Sequence, residues 1–156
     1  MKKIIAVGFL MFIGFGLYGQ EIEWKTLEQA ETEMKKTPNK PLFIDFYTDW
    51  CGWCKTMDRT TFQDPEVISY MNQNFIAVKF DAESKSDVKF RGKSYKFVKA
   101  KGGGKFKGVN SFAYFSLRGN LSYPAYAIMN SNGRLEKLLL GYMPKEKFFE
   151  NLNKEN

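Results

Sequence analysis

The sequence predicts an α/β fold in which a central mixed sheet is flanked by helices on both faces. Three observations carry that prediction. Leu42–Tyr47 (LFIDFY) and Phe75–Asp81 (FIAVKFD) are apolar runs of strand length, each preceded by a stretch of helical pattern. Asn130-Ser131-Asn132-Gly133 is a turn joining two further strand candidates, Tyr126–Asn130 and Arg134–Leu140. The order is helix, strand, helix, strand, then helix, hairpin and helix, a strand–helix–strand unit followed by a hairpin and a closing helix. At 156 residues, with 44% hydrophobic and 17% aromatic content, the chain has room for one domain with a proper core.

Taken in order, the chain opens with MKKIIAVGFLMFIGFGLYGQ, in which Lys2 and Lys3 precede an apolar run from Ile4 to Tyr18. That run is shorter than the roughly 20 residues a membrane span needs, and polar sequence follows at once. Residues 1–19 therefore read as a secretory signal cut after Gly19, which predicts an exported, periplasmic protein whose domain spans 20–156. The alternative is an uncleaved anchor at residues 4–18. Glu21–Trp24 is a candidate edge strand. Leu27–Lys36 is made of good helix formers, with Leu27, Ala30 and Met34 on one face, and Pro38 and Pro41 stop it. After the first strand comes a short helix with Met57 and Phe62 as inner contacts. Asp64 and Pro65 then restart a helix as N-cap and first helical residue, with Val67, Ile68 and Met71 buried. Ser111–Leu117 is helical, with Phe112, Phe115 and Leu117 near a common side. Pro144 belongs to the first turn of the last helix, whose Phe148, Phe149 and Leu152 face inward.

The chemistry is concentrated where the first strand ends. Cys51-Gly52-Trp53-Cys54 follows Thr48-Asp49-Trp50, and a helical pattern begins at the second cysteine. Cys51 is thereby placed at a helix N-terminus, where orphan N–H groups and the macrodipole stabilise an anion. A thiolate there has its pKa lowered from about 8.5, and the thiolate is the nucleophile, so disulfide exchange is the leading reading. A purely structural disulfide is the alternative, but a bridge across three residues closes the least stabilising kind of loop. The chain has no histidine, which excludes Ser-His-Asp and Cys-His machinery and histidine metal ligands. Two cysteines alone do not complete a structural zinc site. No metal and no cofactor are expected. Asp45 stands inside an apolar strand, where an unpaired carboxylate is costly.

Four features in register resemble the thioredoxin family across Trp24–Asn153: FIDFYTDWCGWCK, the VKFD strand, the proline in SYPAYAIMNSNGRL, and Gly141-Tyr142 before a last helix. The exported members it resembles are disulfide reductases and the thiol-reductase domains of transmembrane electron carriers. The resemblance implies that Cys51 attacks and Cys54 resolves the mixed disulfide. It implies that Trp50 covers the pair, that Gly52 permits tight entry into the helix, and that Trp53 supports the site, against ordinary packing for both tryptophans. Asp45 would lie beneath the resolving cysteine with a pKa raised by burial, exchanging protons near neutral pH. Lys79, at the matching position of the next strand, would partner it, the alternative being an Asp45–Lys79 pair without a catalytic task. Pro124 matches the family's cis-proline, leaving the Tyr123 backbone to pair with an extended substrate.

Two departures from the family pattern stand out. Gly52-Trp53 replaces the Gly-Pro, Pro-His or Gly-His of other members, and the absence of histidine favours a reducing poise. Residues 85–107 carry nine Lys or Arg against one acid, Asp87, an excess larger than the whole chain's +7, so the remainder is mildly acidic. Tyr95-Lys96-Phe97-Val98-Lys99 and Phe106-Lys107 flank a glycine run, which predicts a basic hairpin or mobile loop on the side from which the family's substrates approach. This insertion reads either as a docking surface for an acidic partner or as a solvated extension, and export argues against nucleic acid. The expected function is reduction of disulfides in exported proteins, fed by a membrane electron carrier. Disulfide isomerisation, or peptide binding without turnover, is the alternative.

Overall fold

The computed structural model of the protein describes residues 21–101 and 106–154. Its core is a four-stranded sheet in the order β2-β1-β7-β8, with β1 Leu42–Tyr47, β2 Ile76–Asp81, β7 Ala125–Met129 and β8 Leu135–Leu140. β1 runs parallel to β2 and antiparallel to β7, and β7 pairs antiparallel with β8. The sheet is therefore mixed, with β1 inside it. The expected leader, residues 1–19, lies outside the described residues. No described helix is long and apolar enough to cross a membrane.

Alternation along β1 divides the core into two layers, because successive side chains in a strand point to opposite faces. Leu42, Ile44 and Phe46 join Leu27, Ala30 and Met34 of α1 (Leu27–Lys36) and Phe112 of α4 (Ser111–Ser116). On the other face, Phe43 packs with Met57 of α2 (Gly52–Arg59), Val67 and Met71 of α3 (Pro65–Asn74), and Phe148 of α5 (Lys145–Asn153). Both ends of this logic are visible in the caps. Thr26 and Gln29 form a reciprocal capping box at α1, and the Asp64 side chain accepts from the N–H groups of Glu66 and Val67 at α3.

Three expectations change, and of the hairpin or mobile loop expected of the insertion, the described residues form the hairpin, twice over. Glu21–Trp24 is not a strand: contact with the sheet edge is a single bridge, Lys25 to Val78, because Thr26 at once caps α1. Pro144 is the cap residue of α5 and precedes its first turn. Phe115 does not share the buried side of α4 with Phe112 and Leu117 but is 66% exposed. The basic insertion is built from two antiparallel ribbons, β3 Val88–Phe90 with β4 Lys93–Tyr95, and β5 Phe97–Lys99 with β6 Gly108–Asn110. Phe90 and Tyr95 set their rings against Phe112, so the first ribbon is fastened to the core. In the second, Gly108 has φ +146, and a Cβ there would meet the Val98 carbonyl oxygen at 2.3 Å, which only glycine avoids.

Candidate active site

β1 delivers the site, and the turn after it aims it. Thr48 is buried, its carbonyl accepts from the Cys51 N–H at 3.1 Å, and Cys51 becomes the N-cap of α2. The Cys51 sulfur accepts from the Cys54 N–H at 3.0 Å, and the two sulfurs are joined as a disulfide. Both cysteines are nearly buried. A sulfur that already receives a backbone N–H at a helix N-terminus is the one better able to carry negative charge once reduced. That sulfur is Cys51.

Around the pair stand two indoles. Trp50 donates its Nε1–H to Glu83 Oε1 at 3.1 Å and meets the Tyr123 ring edge-on at 6.0 Å. Trp53 lies 5.2 Å from the Tyr142 ring. Trp50 is 46% and Trp53 60% exposed, so they wall the site rather than close it. The Trp50–Tyr123 contact brings the Tyr123–Pro124 peptide, which is cis, to the same face as the dithiol. The Pro124 carbonyl accepts from the Gly141 N–H, tying this loop to the end of β8. Gly52 has no steric requirement for glycine: it is in α2 without positive φ, and a Cβ there would meet nothing within 4 Å.

Around buried Asp45 of β1 lies a charge cluster that reaches α2. In register across three strands stand Lys79, Asp45 and Tyr126. Asp45 is 2% exposed and its Oδ2 is 3.7 Å from Lys79 Nζ. Lys79 also contacts Asp58 of α2, and its Nζ lies over the rings of Trp24 at 5.2 Å and Tyr47 at 5.6 Å. Burial pushes the Asp45 carboxyl up to about 7, with the Lys79 charge opposing and the Asp58 charge adding to the rise. Asp45 Oδ1 and the Tyr126 hydroxyl are buried without a hydrogen-bond partner among the described residues. The carboxyl is thus poised to hold or release a proton at neutral pH on the α2 side of the sheet.

These contacts join Trp50, next to Cys51, to Tyr123 of the cis-proline peptide, and join Asp45 and Lys79 to Asp58 of α2, the helix that carries Trp53 and Cys54. Asp58 was not among the residues expected from the sequence. Its signal is its place four residues beyond Cys54, on the same helical face. Trp24 and Tyr126 left no comparable signal, since both read as ordinary apolar positions. Among the described residues, no group of three or more Cys, Asp or Glu side chains is arranged to hold a metal ion.

Three comparisons with known proteins bear on this geometry. A family described as "Thioredox_DsbH: Protein of unknown function, DUF255" matches residues 17–106. Spermatogenesis-associated protein 20 of Rattus norvegicus is 33% identical over 67 residues, 43% of this chain but 8% of that protein. The thiol:disulfide interchange protein DsbD of Neisseria meningitidis is 28% identical over 121 residues, 77% of this chain and 16% of DsbD. The chain thus spans less than a fifth of the length of these curated relatives. The crystal structure of the N. meningitidis DsbD C-terminal domain, oxidised form, superposes with a TM-score of 0.53 at 23% identity, covering 83% of this chain and 91% of that one. That likeness is one of fold.

Proposed function

The chain belongs to the thioredoxin-like DsbH family, and from that premise we propose that it is an exported protein-disulfide reductase working through Cys51 and Cys54. The observation that carries this reading is the near-buried Cys51–Cys54 pair at the N-terminus of α2, the helix whose Asp58 shares Lys79 with a carboxyl held near neutrality. In the reduced protein the Cys51 thiolate attacks one sulfur of a substrate disulfide, and the departing substrate sulfur takes up a proton. Cys54 loses its proton toward Asp45 and attacks the Cys51 sulfur. The second substrate thiol leaves, and the pair is left as the disulfide. Two electrons pass from dithiol to substrate, and a second dithiol, supplied by a membrane electron carrier, must return them. Tyr123 and cis-Pro124 would hold the substrate segment in extended form beside the pair.

In this reading residues 1–19 are a cleaved signal and 20–156 the domain, so the reaction runs in an oxidising compartment. The reduction potential of the pair, measured by equilibration against dithiothreitol or glutathione, tests the direction. A value near about −230 mV or lower fits a reductase, and one near about −120 to −180 mV overturns it in favour of an oxidant or isomerase. Cys51→Ser should abolish insulin reduction. Cys54→Ser should accumulate the mixed disulfide, seen as a shifted band on a non-reducing gel. Peptide binding unaffected by Cys51→Ser, with no turnover in the wild type, would replace the enzyme with a binding module.

A further inference from the structure

Six large apolar side chains are left largely exposed among the described residues. Trp50 and Trp53 flank the dithiol and Leu140 stands at the end of β8. The other three gather elsewhere: Val98 (56% exposed), Tyr114 (46%) and Phe115 (66%) line one groove between β5, β6 and α4. Phe106, Val109 and Leu121 complete its apolar lining, and its volume is about 410 Å³. Both walls of this groove come from the insertion and from the helix that follows it. The four-stranded sheet does not need them to expose these side chains. A contiguous apolar recess of this kind on an otherwise polar surface is where binding partners are anchored.

Charge decides what kind of partner. From Val88 to Leu135 the sequence contains no aspartate or glutamate. Lys99 lines the groove, and exposed Lys96, Lys101, Lys107 and Arg118 flank β5, β6 and α4 along the chain. Asp87 pairs with Lys96 at 3.6 Å and leaves the others unanswered by any acid of the insertion. The dithiol end is the reverse: Asp49, Asp58, Asp81 and Glu83 cluster there with buried Asp45. Position supplies the last element. Leu121, in the groove, is three residues before cis-Pro124, and Tyr123 between them touches Trp50.

We infer that this groove receives an apolar side chain from the protein that exchanges disulfides with Cys51, on a segment whose acidic residues flank the apolar anchor and not the cysteine. The inference deepens the reductase reading and rests on it for the identity of the partner. The occupant is a protein segment because Leu121 of the groove leads within three residues to the cis-proline peptide, beside which the polypeptide of the proposed reaction lies.

Binding of a fluorescein-labelled, cysteine-free peptide, Glu-Glu-Phe-Leu-Glu-Glu, followed by fluorescence anisotropy tests this without turnover. Wild-type protein should bind it, and Val98→Asp and Phe115→Ser should each weaken binding about tenfold or more, since each removes apolar burial from the anchor. An unchanged melting temperature checks the fold of each variant. Replacing Phe-Leu by Ala-Ala, or the four Glu by Lys, should weaken binding comparably. Equal affinity for the Lys peptide, or for Val98→Asp, overturns the inference. So does binding to phosphatidylglycerol vesicles in place of the peptide, which would make the surface a lipid-facing one. Exchange of wild-type protein with oxidised glutathione is measured in parallel. Its absence with peptide binding intact defeats the reductase reading and leaves the groove standing. Its presence with no peptide binding defeats the groove alone.

Discussion

Burial sets the behaviour of Asp45, and Lys79, shared with Asp58, opposes it. With the folded-state value raised to about 7 from an ordinary value near 3.8, burial makes the ionised form the costly one. The contribution of Asp45 to stability is therefore fully present below pH ~4 and is lost as pH rises through about 7, by an amount on the order of 4 kcal/mol at most. Asp45→Asn should remove this slope: urea midpoints of wild type and variant should diverge at pH 8, with the variant higher, and converge at pH 4. Carbon-13 titration of the Asp45 carboxyl adds a second check. Lys79→Met should move its midpoint upward and Asp58→Asn downward, since the first removes an opposing charge and the second an adding one. A midpoint unmoved by both would break the charge assignment. Asp45 and Lys79 were legible in the sequence because each interrupts an apolar strand. Asp58 was not, because an acid on an amphipathic helix looks solvated until the neighbouring strand's lysine is seen to reach it. The steric role expected of Gly52 failed for the opposite reason: a residue type suggested a constraint that its helical backbone does not impose.

Among the elements, the insertion depends on Asn110. Its side chain caps α4 by accepting from the Phe112 N–H at 3.0 Å and donates to the carbonyls of Ser84 and Ser86 at 3.2 and 3.1 Å. Its backbone N–H reaches the Ala82 carbonyl at 2.7 Å. One buried residue thus joins the loop after β2, the second ribbon and α4. Asn110→Ala should cost about 2–4 kcal/mol, because buried groups lose their partners, read as a fall in the urea midpoint. A cost below about 0.5 kcal/mol would mean that these contacts do not hold the ribbon. The boundaries of the insertion were visible as a change in charge and glycine content. Its pairing was not: strands of three residues give too little alternation to read a register, and the rings that fasten it to Phe112 look like scattered aromatics until they are folded together. Helices α1 and α3 were legible almost to the residue, since helix formers bounded by Pro38 mark the first and Asp64 and Pro65 mark the start of the second.

For the whole molecule, element order fixed the fold class but not the sheet order, because β1 pairs with β7 across a long stretch of intervening chain. The molecule is also polar in charge, acidic near the dithiol and basic across the insertion, within a net +7. Such separation acts beyond contact distance and is screened over about 10 Å at 0.1 M salt. Reduction of a disulfide peptide carrying the acidic, apolar segment should therefore slow several-fold in kcat/KM between 0.05 and 0.5 M salt. Exchange with a small neutral disulfide should stay nearly level across the same range. Equal salt dependence for the two would show that the basic surface takes no part in encounter.

The protein has three tryptophans, and their placement has an optical consequence. Trp24 lies against Lys79, and Trp50 and Trp53 stand on either side of the cysteine pair. Two of the chain's three indoles are therefore direct sequence neighbours of the cysteines and dominate any change in emission there. Opening or closing the disulfide should be visible in native fluorescence, so that the protein reports its own oxidation state without a label.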